Sequence, residues 1–220
     1  LSEIITLIKK EITLEWRQRY AFNGMLLYVI STISICYLSF NLNRNLLTPI
    51  VWNTLFWIIL LFTAVNAIAK SFSREHYGRY LYHYMVSSPQ SIIISKIIYN
   101  SLLMMMLSLT AFGFYLLVMG NPVGNLTVYL LSVILGSLGF ASSLTLISAI
   151  ASKADNSGSL MAILSFPMII PMLLMVTKLA KNALDNLDTS VNYDEILVLL
   201  SIDAIVIGLS VILFPYLWRS

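Results

Sequence analysis

The sequence predicts an all-α integral membrane protein with six transmembrane helices, and three observations predict it. Hydrophobic residues make up 59% of the 220 residues and charged residues only 10%, where a soluble domain carries about 25% charged residues. The mean hydropathy is +0.86, and a surface so poor in charge cannot face water all round. The apolar residues also gather into six runs, each long enough to cross hydrocarbon, which takes about 20 residues of helix. Within each run they are continuous rather than alternating, which excludes a transmembrane β-barrel.

The chain opens on an amphipathic helix rather than a span. In residues 1–20, Leu1, Ile5, Ile8, Ile12 and Trp16 fall at helical spacing, with Glu3, Lys9, Lys10, Glu11 and Arg17 largely elsewhere. Such a helix lies in the membrane interface with its apolar face toward the acyl chains; the plainer alternative is a cytosolic helix packed on other protein. Because this stretch is charged and amphipathic, no cleavable signal peptide is expected before the first span.

The six spans are Phe22–Phe40, Pro49–Ala69, Ile97–Met119, Leu126–Ala151, Leu160–Thr177 and Ile196–Leu217. The single cysteine, Cys36, lies in the first and reads as a buried, inert thiol. One cysteine also excludes an internal disulfide or a multi-cysteine metal site. In the fourth span Ser132, Gly136, Gly139 and Ser143 allow close helix approach. In the fifth, Pro167 and Pro171 remove backbone donors and predict a kink. The sixth carries Asp203, which a rise of about 1.5 Å per residue puts about 10 Å inside its outer end. An ionisable group at that depth is either a proton or ion site, or a structural group bonded to a serine or threonine of a neighbouring helix.

Between the second and third spans lies a charged, tyrosine-rich connection, residues 70–96, with "SFSREHYGRYLYHYMVSSPQ" at 71–90. Tyr77, Tyr80, Leu81, Tyr84 and Met85 share one helical face. Glu75 and Arg79 form an i,i+4 pair, His76, Arg79 and His83 fall on another side, and Ser87, Ser88 and Pro89 stop the helix. Aromatic residues and arginine are the types that anchor protein interfaces; a solvated loop helix is the other reading of the pattern. The cations fix the orientation. Lys9, Lys10, Arg17, Arg19, Lys70, Arg74, Arg79, Lys96, Lys153 and Arg219 fall on one side, and only Arg44, Lys178 and Lys181 on the other. The positive-inside rule places both termini and residues 70–96 in the cytoplasm.

Several chemistries are missing from this sequence. It has no G-x-x-x-x-G-K-[ST] phosphate loop, so ATP chemistry must come from a partner. It offers no carboxylate cluster, metal-ligand spacing or nucleophile–base set, and is read as non-catalytic. The small excess of Lys and Arg gives no case for nucleic acid. His76 and His83 sit where partner contact or solvation is the default reading, and Met104, Met105 and Met106 read as adaptable packing rather than thioether ligands.

Four segments in order, "LIKKEITLEWRQRYAFNGML", "TPIVWNTLFW", "SFSREHYGRY…SSP…SKIIYN" and "FPMIIPMLL", together resemble cytochrome c maturation protein B over nearly the whole chain. The resemblance implies an ABC-2-like permease fold forming one membrane domain over 1–220, with the interfacial helix at 1–20 and a coupling segment at 70–96. It implies a homodimer seating a separate cytoplasmic ABC ATPase subunit, in contact with membrane lipid and with no nucleic acid. A haem-handling membrane protein and a periplasmic haem chaperone are its further partners. ATP hydrolysis then drives haem delivery or export, or release of the haem-loaded chaperone. Haem is handled cargo rather than a bound cofactor, and ATP acts only through the partner. On this reading Glu75, Tyr77, Arg79, Tyr80, Leu81 and Tyr84 couple to the ATPase, in a bacterial inner membrane or its mitochondrial counterpart. The alternatives are an ABC-2 exporter of another cargo (lipid, glycan or drug) and a secondary transporter using Asp203.

Cysteine labelling with an impermeant reagent checks the orientation. Single cysteines near Arg44, Asn121 and Asp188 are expected to react in intact cells and one at Tyr80 is not; reaction at Tyr80 overturns the topology.

Overall fold

The computed structural model describes residues 2–17, 20–42, 44–68, 71–72, 88–153, 157–187 and 189–219. Among them there is no strand. The helices are α1 (Ser2–Arg17), α2 (Tyr20–Asn41), α3 (Pro49–Ile68), α4 (Pro89–Met119), α5 (Leu126–Ala151), α6 (Ser157–Leu184) and α7 (Tyr193–Arg219). Short 3-10 turns at Arg44–Leu46 and Thr189–Asn192 lead into α3 and α7. All but α1 are long and apolar enough to cross a membrane.

The predicted fourth span coincides with α5. The third and fifth differ from prediction in an instructive way. α4 starts at Pro89, not Ile97, because the residues that close the preceding segment also open this helix. The Ser88 side chain accepts from the backbone N–H of Ser91 at 3.3 Å, and Pro89 takes the first helical position, where no N–H is needed. Lys96 therefore belongs to a helix rather than to a connection. α6 runs from Ser157 to Leu184, so Lys178 and Lys181 ride on its last turns instead of in a loop. It stays helical through Pro167 and Pro171, which lie on an exposed face with Ile163, Phe166, Ile170 and Leu174.

α5 is the centre of the bundle and packs against α3, α4, α6 and α7. Of its most apolar eighteen residues 78% are buried, against 17% for the first span and 22% for the last. The small residues make this possible. A β-carbon on Gly136 would stand 2.7 Å from the Trp57 ring and 3.0 Å from Val176; one on Gly139 would stand 2.5 Å from Asp203 Oδ1 and from the Met172 sulfur. With neighbours that close on both sides, α3, α6 and α7 reach the α5 backbone itself. In lipid, where apolar surface gains nothing by leaving the solvent, such close packing is a main source of helix association.

Against α5 stands a wall of rings from α3, α4 and α5: Trp52, Phe56, Trp57, Phe112, Tyr115 and Tyr129, all buried. Phe112 and Tyr129 stack at 5.0 Å, and Trp52 meets Tyr115 at 4.7 Å. Except for Trp52 Nε1, which has no hydrogen-bond partner among the described residues, their polar edges are served by the backbone and by one asparagine. Trp57 Nε1 and the Tyr129 hydroxyl both donate to Asn53 Oδ1 at 3.1 Å, Asn53 Nδ2 donates to the Thr177 carbonyl at 3.3 Å, and the Tyr115 hydroxyl donates to the Trp52 carbonyl at 2.9 Å. The "TPIVWNTLFW" segment is thus the part of α3 that grips α4, α5 and α6.

Gly136→Ala must displace the Trp57 ring and is expected to cost about 1–3 kcal/mol as overpacking. Gly113→Ala on α4, where a β-carbon meets nothing within 4 Å, is expected to gain up to about 1 kcal/mol of helix propensity. Thermal unfolding midpoints of the detergent-solubilised variants check the contrast in sign.

Candidate functional site at the α1 end of the bundle

Residues 74–86, and with them Glu75, Tyr77, Arg79, Tyr80, Leu81 and Tyr84, lie outside the described residues. What the structure does describe is how the chain enters and leaves that segment. Both ends are held by a polar network that also takes in α1.

On the entering side, the Ser71 N–H donates to the carbonyl of Ile68, the last residue of α3, at 2.8 Å. The Ser71 carbonyl accepts from Lys96 Nζ at 2.8 Å, and its hydroxyl oxygen accepts from Asn100 Nδ2 at 3.1 Å. The same Asn100 amide nitrogen donates to Thr145 Oγ1 on α5 at 2.8 Å. Lys96 Nζ also lies 3.4 Å from Glu11 Oε1 on α1 and 4.8 Å over the ring of Phe72. Phe72 is buried with Ile92, Ile93 and Ile97 of α4, Ala149 of α5 and Phe214 of α7, whose ring lies 5.5 Å away.

On the leaving side, the Ser88 N–H donates to Glu3 Oε1 at 2.7 Å, and the Ser91 hydroxyl donates to Glu3 Oε2 at 3.2 Å. Glu3 and Glu11 thus fasten α1 to the start of α4, while Ile5 and Ile12 remain exposed. Leu7 packs against the buried cluster around Phe72, while Thr6, Lys9 and Thr13 are exposed together with Ile5 and Ile12.

Only 4% of the Lys96 side chain is exposed, and a buried ammonium costs several kcal/mol unless it is paired and hydrogen-bonded. Here a carboxylate, a carbonyl and a ring face meet it together. Lys96 and Asn100 stand at i,i+4, which puts them on one face of α4. Sequence reasoning placed Lys96 in a loop and passed over Asn100. The available signal was the "SKIIYN" segment, in which a lysine and an asparagine at helical spacing interrupt an apolar run.

The opposite end of the bundle is also polar. Lys178 Nζ pairs with Glu195 Oε1 at 2.8 Å, Asn182 Nδ2 donates to Asn192 Oδ1 at 2.8 Å, and the Asn125 N–H donates to the Ala183 carbonyl at 2.8 Å. These bonds tie α6 to α7 and to the start of α5. Asp203 lies between the two ends, 8% exposed. Its Oδ1 abuts Gly139 and has no hydrogen-bond partner among the described residues. The serine or threonine partner expected for it is not the neighbour that the fold supplies to that oxygen.

A cleft of about 460 Å3 opens between α1, α2 and α4, lined by Ile12, Glu15, Phe22, Tyr99, Leu103 and Met106 among others. Met104 is buried in the core and Met106 is exposed beside this cleft, so the methionine run is packing on one side and open surface on the other. Among the described residues no group of three or more His, Cys, Asp or Glu could hold a metal ion.

Six apolar helices, five of them arranged around the central α5, with charge confined largely to the two ends, define a multi-pass helical membrane protein of permease type. The model of the CcmB protein family matches residues 2–216. The chain belongs to that family, whose members are the membrane component of the haem-exporter ABC system for cytochrome c maturation. Membership implies partnership with an ATPase and with other maturation components. A search of curated proteins returns no match.

Lys96→Met removes the cation from between Glu11 and the Ser71 carbonyl, taking a donor from that half-buried carbonyl and leaving Glu11 paired with Lys10 at 3.6 Å. It is expected to destabilise the solubilised protein by about 1–3 kcal/mol and to make α1 more sensitive to limited proteolysis. Wild-type digestion kinetics would show that Lys96 does not hold α1.

Proposed function

We propose that this chain is the non-catalytic permease subunit that couples a partner's ATP hydrolysis to haem delivery or export, or to release of a haem-loaded periplasmic chaperone. It works as a homodimer in a bacterial inner membrane, with both termini and residues 70–96 cytoplasmic. The reading is carried by the residues that flank 73–87, with Ser71 and Phe72 held to α4, α5 and α7 on one side and Ser88 held to α1 on the other. A subunit without a nucleotide site receives its conformational signal through surface contacts, and flanks bonded to several helices give such a signal a route into the bundle. The cation distribution supports the cytoplasmic placement. The run of Tyr77, Tyr80, Leu81 and Tyr84 with Glu75 and Arg79 supports docking of the ATPase there.

The test is co-purification. Truncated aromatic anchors commonly cost about 2 kcal/mol or more, so Tyr80→Ala with Tyr84→Ala is expected to release the ATPase while the six spans stay folded. Arg79→Glu tests whether the basic face makes the contact instead. If neither change weakens co-purification, residues 74–86 are not the docking helix. Asp203→Asn keeps the shape and sheds the charge, and is expected to preserve cytochrome c maturation. Lost maturation at normal protein levels marks Asp203 as a proton or ion site.

A further inference from the structure

Asn100 joins Ser71, at the entrance to residues 73–87, to the central helix through polar atoms. Its amide nitrogen has two N–H bonds and two oxygens within reach, Ser71 Oγ at 3.1 Å and Thr145 Oγ1 at 2.8 Å. The direction of each bond is fixed by its neighbours. The Thr145 hydroxyl donates to the Ala141 carbonyl of its own helix, so toward Asn100 it can only accept. Asn100 is 2% exposed and Thr145 fully buried. Water does not compete for these donors, and the amide must move with both partners or lose one.

Ser71 lies just beyond the end of α3 at Ile68, and Thr145 lies on the most buried helix of the bundle. Between them a displacement of Ser71 is delivered to α5. The neighbouring contacts restrict Ser71 in the other directions. Lys96 holds its carbonyl and Ile68 its N–H, and Phe72 is wedged against Phe214 and Ala149. Ser71 therefore cannot swivel in place.

We propose that Asn100, with Thr145 as its acceptor, is a positioning residue that gears the end of the second span, and with it the entrance to residues 73–87, to the central helix α5. This rests on the coupling reading above and assigns it a transmission point separate from the docking surface.

The test uses the complex purified with its ATPase and reconstituted with the haem-loaded chaperone. Two quantities are read: ATPase retained per permease, and ATP hydrolysed per chaperone released. Asn100→Leu removes both donors at similar size and leaves only acceptors unfilled. Thr145→Val removes one acceptor at the same shape, and Thr145→Ser restores the hydroxyl. Asn100→Leu and Thr145→Val are expected to retain the ATPase at the wild-type ratio and to raise ATP consumed per release at least about fivefold, the lower end of typical coupling energies. Thr145→Ser is expected to behave as wild type. A purely structural bond would lower ATPase activity and release together and leave their ratio unchanged, and that result overturns the proposal. Loss of the ATPase from the complex also overturns it, since Asn100 would then serve docking. If Asn100→Leu does not accumulate, the Thr145 pair decides alone. Failure of the docking reading appears elsewhere, as unchanged co-purification of the Tyr80 and Tyr84 variants.

Discussion

The approach of Trp57 to the backbone of α5 at Gly136 is the contact on which the rest of the bundle depends. A bilayer gives helices no hydrophobic reason to associate, because lipid tails are as apolar as leucine. What remains is van der Waals contact at short range and hydrogen bonding between helices. The fold supplies both at one level: the ring of Trp57 fills the space left by a missing side chain, and its N–H is taken up by Asn53. Asn53 also receives Tyr129 and reaches the Thr177 carbonyl, so a single amide joins α3, α5 and α6. Any residue larger than glycine at position 136 moves the ring, and with it the asparagine and its partners.

Away from that level, polar groups are sorted by depth. The ion pairs lie at the ends of the bundle, Lys96 with Glu11 at one and Lys178 with Glu195 at the other. Most buried serines and threonines of the middle donate to carbonyls one turn back in their own helices, as Thr63, Ser132 and Ser210 do. Such hydroxyls cost little in hydrocarbon because the helix satisfies them locally. Asp203 breaks the pattern: no carbonyl of its own helix can serve a carboxylate oxygen, and the facing helix offers Gly139.

The spans and the close packing of the fourth were legible because they rest on composition and on residues that are small for a steric reason, while its central position was not. Gly136 and Gly139 in an apolar run announce a close neighbour without naming it. The polar network was less legible, because a lysine at the edge of an apolar run reads equally well as the end of a loop or the first turns of a longer helix. The capping by Ser88 and Pro89 decides for the helix, but in sequence those same residues signal a stop. The partners Glu3 and Glu11 lie 85 positions from theirs, a separation that no periodicity records. Trp57 and Asn53 were visible as part of a recognisable segment. Their roles were not, since a four-residue spacing fixes a shared face and leaves the neighbour on that face open.

The length of α4 has a mechanical meaning. Its 31 residues make a rod of about 46 Å at 1.5 Å per residue, while the hydrocarbon layer is about 30 Å thick. The surplus carries Ser91 and Lys96, to which α1 is bolted through Glu3 and Glu11. The position of α1 along the bundle is therefore set by a protein ruler. In a bilayer thicker or thinner than the ruler fits, the lipid must deform around α1 or the rod must tilt, at a fraction of a kcal/mol per Å of mismatch. Membrane thickness thereby becomes a load on the end of the bundle where residues 73–87 enter and leave.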